Sequence, residues 1–398
     1  MRAKALIVSV IALTMIVGML AMPLGKAAPP SKASWRYILY LDADNNLDVS
    51  TGAHHESVVE SDFEELMSVG STKDVAMYVF VDRWEGPANL FKVNKGSMTE
   101  ITAFALNGKE ANMGDPATLR SLMSYTFKAA PAEKTLLMFW DHGSPRIVAS
   151  DDNPGDSLTH DEVIQALDGF HVDVIGADEC LVGQVDVAYQ YAARGLNTQY
   201  LLASETYTGW RGYPYDATLA RMVADPQMTP RELSIMFIEE VDKLLSENPY
   251  QGEEVNSHSA IDLSQVGPLV SSFMDLTEML SADMKANAGI VSKSRGGACF
   301  SYATNSVNVV DLIRFVELVA KNSPDNAVKD QSAKVIAIFD QTVIALQVTQ
   351  TTDHQINGLG IVFPNHSWET PSYYWSYAIM EAGWEAFLTS YWAAAGSV

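Results

Sequence analysis

The sequence predicts an α/β protein, a three-layer sandwich in which a mostly parallel central sheet carries helices on both faces. Two observations lead there. Short apolar runs at residues 35–41, 74–82, 134–140, 172–177 and 199–204 alternate with stretches of helical periodicity, the rhythm of successive β-α units. Those runs are also predominantly apolar without polar alternation through their centres, as expected of strands covered on both sides.

The elements follow in order. Residues 35–41 form the first strand, and the turn at 42–46, rich in Asp and Asn, precedes a helix over 57–69. A second strand spans 74–82. Segments at 90–93 and 100–104, joined around Gly96, predict a hairpin. Asp115 and Pro116 sit where an N-cap and a first helical residue belong, opening a helix to about residue 128. The third apolar strand, 134–140, ends in Asp141-His-Gly143. A short helix over 157–167 leads to the strand at 172–177, which breaks into a turn presenting Cys180. A helix over 182–193 and the strand at 199–204 follow. Beyond Tyr215 the pattern is more helical, with a helix over 229–246 and strands at 259–263, 298–302, 347–351 and 359–363. One long aromatic helix over 373–392 closes the chain, its stripe expected to be a packed face. The organisation predicted is a segment 1–27, a linker 28–34, a catalytic domain 35–215, and a portion 216–398 that completes the fold.

Composition bounds the function. With 49 acidic against 26 basic residues and a formal charge of −23, the chain lacks the Lys and Arg clusters that nucleic acid requires. The first four residues carry two positive charges, residues 5–22 are uncharged and predominantly apolar, and small residues follow Pro23. This is the plan of a secretory signal cleaved after Ala27, with an uncleaved membrane anchor as the alternative. Secretion or display at the cell surface is the expected destination. Only two cysteines are present, Cys180 and Cys299. In an exported protein they could form one disulfide, which would leave no thiol for chemistry.

The competing expectation is catalytic. If strands 134–140 and 172–177 are adjacent and parallel, His142 and Cys180 emerge side by side at their carboxyl ends, where reactive groups of open α/β sheets collect. An imidazole beside a thiol can take its proton and return it to a leaving amine. Gly143 would let a backbone N–H approach a developing oxyanion, with the N–H of Cys180 as the second donor. A serine hydrolase is disfavoured, because no Gly-x-Ser-x-Gly elbow occurs.

Five segments, Trp35-Arg-Tyr-Ile-Leu-Tyr-Leu-Asp-Ala-Asp-Asn-Asn-Leu47, Asn112-Met-Gly-Asp-Pro116, Phe139-Trp-Asp-His-Gly143, Ile175-Gly-Ala-Asp-Glu-Cys-Leu181 and Ala203-Ser-Glu205, occur in the order found in one family. Together with Val310-Asp-Leu312 and Gly358-Leu-Gly-Ile-Val-Phe-Pro364 they resemble the clostripain family of cysteine peptidases. The resemblance implies a caspase-like fold, a Cys180/His142 dyad, and protein or peptide substrates. It further implies cleavage after Arg or Lys, with Asp178 as the primary acid of the first subsite and Glu205 a weaker candidate. Asp178 read without the family is equally a turn-capping residue, and Arg211 stands near the position of an expected second acid. The alternative from another class is a caspase-like module that has lost catalysis and binds partners at the cell surface.

No cofactor is required by this chemistry. The spacing of Asp42, Asp44, Asn46 and Asp48 fails as an EF-hand, because Leu47 replaces the glycine and Ala53 the final glutamate. Calcium dependence in some relatives nevertheless makes the acidic loop 151–156 the place to look for that ion.

Overall fold

The computed structural model describes residues 32–48, 58–209, 211–247, 256–299, 308–349 and 356–396. The expected signal segment and most of the linker lie outside the described residues, and the linker's last residues already belong to the first strand.

Five parallel strands form the centre of the sheet: β1 (Ala33–Ala43), β2 (Val75–Arg83), β5 (Ala132–Trp140), β8 (Val174–Asp178) and β9 (Tyr200–Ala203). Antiparallel strands extend both edges, β3 (Asn89–Asn94) and β4 (Ser97–Glu100) on one side, β10 (Asn256–Asp262) and β12 (Val343–Thr349) on the other. The nine strands run in the order β12-β10-β9-β8-β5-β1-β2-β3-β4. Two of them come from beyond Tyr215, so the C-terminal portion builds the same sheet.

Period-two alternation divides the core. Trp35, Tyr37, Leu39 and Leu41 of β1 face a layer made by α1 (Val58–Val69), α5 (Tyr215–Ala224) and α6 (Pro230–Glu247). Ile38 and Tyr40 face the opposite layer, to which α2 (Pro116–Ala129), α3 (His160–Leu167), α4 (Val185–Ala193) and α7 (Leu263–Ser281) contribute. All of β1 is buried, which explains its predominantly apolar character on both faces. The remaining helices α8 (Met284–Ala298), α9 (Leu312–Asn322) and α10 (Asn326–Thr342) complete that layer, with a small pair of strands, β11 (Val309–Asp311) and β13 (Gly360–Val362).

Several expected elements differ. The hairpin's second strand is β4, three residues earlier than predicted, because Lys95-Gly96 makes a two-residue turn with Gly96 at φ 78°. The apolar residues that suggested a strand at 100–104 are used otherwise: Phe104 packs edge-on against Phe80, with centroids 5.2 Å apart. The helix expected from residue 157 begins at His160, where Thr159 and Glu162 form a capping box. Asp156–Thr159 (β7) instead pairs with Ile147–Asp151 (β6). The helix expected from residue 182 begins at Val185. Cys299 caps α8 and bridges to Val310, and the rest of the expected strand 298–302 lies outside the described residues. The long terminal helix is broken into a 3₁₀ turn at Ser372–Ser376, a π turn at Met380–Trp384 and α11 (Glu385–Ala395). Gly383, at φ 128°, cannot continue a right-handed helix.

Candidate active site

The parallel register of β5 and β8 pairs Trp140 with Asp178. His142 and Cys180 each lie two residues beyond that pair. Leu181, immediately after the thiol, has φ 62° and is the one non-glycine residue at positive φ among the described residues, a conformation held only where surroundings enforce it. Those surroundings are backbone groups and one amide side chain. Leu181 N–H donates to Thr206 O at 2.8 Å and Gly183 N–H to Ser204 O at 2.7 Å. Gln184 Nε2 donates to Leu181 O and Glu205 O at 3.2 and 3.0 Å. Gly360 N–H donates to Gly183 O at 3.0 Å. A side chain at Gly183 would meet Glu205 N at 2.7 Å. The turn carrying Cys180 is thus clamped between the segment after β9 and strand β13.

A cavity of about 280 Å³ opens at these strand ends, lined among others by Trp140, His142, Asp178, Cys180, Thr208 and Gly212. Cys180 Sγ accepts from Thr208 N–H at 3.3 Å and lies 3.5 Å from Thr208 Oγ1. The Nε2 of His142 is 2.8 Å from Asn46 Oδ1. With that oxygen facing the ring, Nε2 carries the proton and Nδ1 the lone pair. Desolvation in the crevice lowers the His142 pKa, opposed by the charge of Asp152. The buried Asp141 carboxylate secures the loop by accepting from Asn45 Nδ2 at 2.7 Å and from the N–H groups of His142 and Ser150. Gly143 permits the close approach of the two loops: a Cβ there would lie 2.7 Å from Glu179 Cβ and 2.8 Å from Cys180 O.

Asp178 is 7 % exposed. Its Oδ2 accepts from Tyr213 N–H at 3.1 Å and Tyr215 O–H at 2.7 Å, while a Cβ on Gly212 would collide with the carboxylate, 2.7 Å from Oδ1. Burial raises its pKa to about 6 against the opposing effect of those two donors. Asp62, which accepts from Trp140 Nε1 at 2.7 Å, and Glu65, which accepts from Tyr215 N–H at 2.8 Å, lie behind it and are held above the ordinary carboxylate range by burial first and the charge of Asp178 among other causes. Glu205 is not brought to the cavity. It is 0 % exposed and its Oε2 accepts from Gly358 N–H at 2.7 Å, so the weaker first-subsite candidate does not line the cavity. Neither Cys180 nor Cys299 forms a disulfide, and burial pushes the Cys299 thiol up.

The model of the clostripain family, peptidase family C11, matches residues 39–391. The chain belongs to the clostripain family. Clostripain of Hathewaya histolytica is 28 % identical over 225 residues, which are 46 % of this chain and 41 % of that protein; the chain therefore spans about two-fifths of the length of this relative. A secreted C11 cysteine protease from Bacteroides thetaiotaomicron, solved with an irreversible peptide inhibitor, superposes with a TM-score of 0.67 at 16 % identity, covering 89 % of this chain and 100 % of the other. An inactive zymogen C11 protease from Parabacteroides distasonis gives 0.68 at 14 % identity, with 89 % and 99 % covered. At such identities the likeness is one of fold, the caspase-like sandwich expected for a clostripain-family chain.

Two contacts of this clostripain-family site were not anticipated. In the sequence Asn46 belongs to a capping turn and to the failed EF-hand spacing, neither of which points to His142, and Thr208 carries no signal at all. In the acidic loop where calcium is expected, the carboxylates are engaged by protein donors. Asp151 accepts from Met113 and Asn153 N–H at 2.7 and 3.2 Å, and Asp156 from Asn112 Nδ2 and Ser157 N–H at 2.8 and 2.9 Å. These carboxylates hold backbone and side-chain donors around the β6–β7 turn. Among the described residues no group of three or more His, Cys, Asp or Glu is arranged to hold a metal ion. Asp48, from the failed EF-hand pattern, pairs with Arg83 at 2.7 Å.

Proposed function

We propose that this clostripain-family protein is a cysteine endopeptidase using Cys180 and His142, with preference for Arg or Lys on the acyl side of the cleaved bond. The observation that carries the reading is the common cavity into which two adjacent strand ends deliver a thiol, an imidazole and a buried carboxyl group. His142 takes the thiol proton and the thiolate attacks the substrate carbonyl. The N–H groups of Gly143 and Cys180 stabilise the oxyanion, and His142 passes its proton to the leaving amine. Water then releases the acyl group by the reverse path. Asp178 receives the cationic side chain. No step runs through a metal.

Peptides and proteins are the expected substrates, by analogy with the peptide inhibitor bound to the Bacteroides protease. Export follows from residues 1–27 and agrees with the description of that protease as secreted. Among the described residues no helix is long and apolar enough to cross a membrane, so any membrane attachment would come from the N-terminal segment.

The test is covalent labelling of the reduced protein by peptidyl acyloxymethyl ketones carrying Arg or a neutral residue next to the warhead. Labelling at Cys180, faster with Arg and abolished by Cys180→Ala, is expected. No labelling of the wild type, or labelling that persists in Cys180→Ala, overturns the peptidase reading in favour of a binding module.

A further inference from the structure

We propose that Glu205 and Asp311 share one proton and act as positioning residues for the peptidase reaction, by holding the segment Ser204 to Thr208 against the nucleophile; this rests on the peptidase reading above. Both residues are 0 % exposed, and the consecutive N–H groups of Asn357 and Gly358 donate to Asp311 Oδ2 and Glu205 Oε2 at 2.6 and 2.7 Å, which sets the two carboxyl groups side by side.

The donors around them locate the proton. Asp311 caps α9 with Oδ1, accepting from Arg314 N–H at 2.6 Å and Asn357 Nδ2 at 3.1 Å. Its Oδ2 accepts from Asn357 N–H and Nδ2 at 2.6 and 3.1 Å. An oxygen pair so fully supplied is suited to negative charge. Glu205 receives Gly358 N–H on Oε2, while its buried Oε1 has no hydrogen-bond donor. Two adjacent carboxylates away from water cannot both ionise. One proton held by Glu205 between the two carboxyl groups removes the repulsion and leaves the fully supplied Asp311 as the anion. The groups hydrogen-bonded to Glu205 carry no charge: Gln184 at the N-cap of α4, Ser257 of β10 and the Gly358 N–H. Arg314 contributes its N–H, its guanidinium lying 3.3 Å from Glu317 instead.

What the pair holds is the wall behind the thiol. Glu205 N–H and Thr206 N–H donate to Ser257 Oγ at 3.1 and 3.2 Å. Glu205 O receives Gln184, Thr206 O receives the strained Leu181, and Thr208 N–H reaches Cys180 Sγ at 3.3 Å. Loss of the shared proton sets two buried anions against each other three residues from that contact. The segment shifts, and the geometry at Cys180 degrades.

Glu205→Gln separates this role from simple packing. The amide keeps an oxygen for Gly358 N–H and offers Asp311 an N–H that cannot ionise. Measured with an Arg peptide from pH 6 to 10, Glu205→Gln is expected to keep kcat near the wild-type value at neutral pH. Its alkaline limb should lie at higher pH, since each unit above the pair's pKa removes the wild type's proton roughly tenfold. Glu205→Ala, with its folded state checked by near-ultraviolet circular dichroism, should lower kcat more than it changes KM. Coincident alkaline limbs for wild type and Glu205→Gln, or a kcat loss in Glu205→Gln as large as in Glu205→Ala, overturns the inference while leaving the peptidase reading intact. A wild type that labels at no thiol overturns both.

Discussion

Trp140 and Asp178 stand opposite one another in the parallel β5–β8 pair, and this pairing sets the site: two residues further along each chain, His142 and Cys180 leave the sheet at the same level. The loops that carry them touch through Gly143. A Cβ at that position would lie 2.8 Å from the carbonyl oxygen of Cys180, a backbone atom that cannot swing aside. Gly143→Ala should therefore fold and yet lose activity, with kcat down on the order of a hundredfold, as for displacement of reacting groups by about an ångström. Steady-state kinetics beside a melting curve would check this, and unchanged kcat would refute the contact's importance.

Asn46 orients His142. Removing the 2.8 Å contact with Asn46→Ala leaves the imidazole free to rotate and to exchange tautomers. A drop in kcat of about tenfold is expected, comparable to the loss of one hydrogen bond of about 1.5 kcal/mol. KM should change little. The alkylation rate of Cys180 by iodoacetamide, followed against pH, would report the same loss without a substrate.

These contacts also mark how far the sequence could be read. The central strands were legible because burial on both faces leaves an unbroken apolar signature, as in Leu136 to Phe139 beside Val174 and Ile175. The adjacency of His142 and Cys180 followed from chain order. By contrast, β4 is an edge strand whose residues are mostly exposed, so its polar sequence gave no apolar signal, while neighbouring Phe104 gave a misleading one. Asn46 meeting His142, and Glu205 meeting Asp311, join residues far apart in the chain through loops that no periodicity describes. Glu205 shows the limit most clearly: its position after β9 was legible, but the direction of its carboxyl group was set by Asp311 and Gly358.

Asp178 predicts a substrate-dependent acid limb. Burial raises its pKa to about 6, so it is ionised above that value and neutral below it. For an Arg or Lys peptide, kcat/KM should fall as pH drops through about 6, mainly through KM. A peptide with a neutral residue at that position should lack this limb. Asp178→Asn should erase the difference and cost the cationic peptide roughly ten- to a hundredfold in kcat/KM, the worth of a charge-assisted hydrogen bond of about 1.5–3 kcal/mol. Equal pH profiles for both peptides in the wild type would reject Asp178 as the selector.

Asp186 ties the helix following the nucleophile to the C-terminal segment. Its carboxylate accepts from Val362 N–H at 2.9 Å and from Tyr374 O–H, and burial raises its pKa to about 7 despite those donors. Between pH 4 and 7 the unfolded chain has this group ionised while the folded chain keeps it protonated. Its contribution to stability is complete below the unfolded pKa and is lost as pH rises through about 7. Asp186→Asn removes that dependence, and its amide can still accept from Val362 N–H and donate to Tyr374, whose hydroxyl retains Val362 O at 3.1 Å as an acceptor. The variant should be no more stable than wild type at pH 5 but should gain relative to it by pH 8, on the order of a few kcal/mol, since each pKa unit is worth about 1.4 kcal/mol. Chemical denaturation at the two pH values measures the change, and a variant–wild-type difference that does not move with pH would show that Asp186 is ionised in the folded protein throughout.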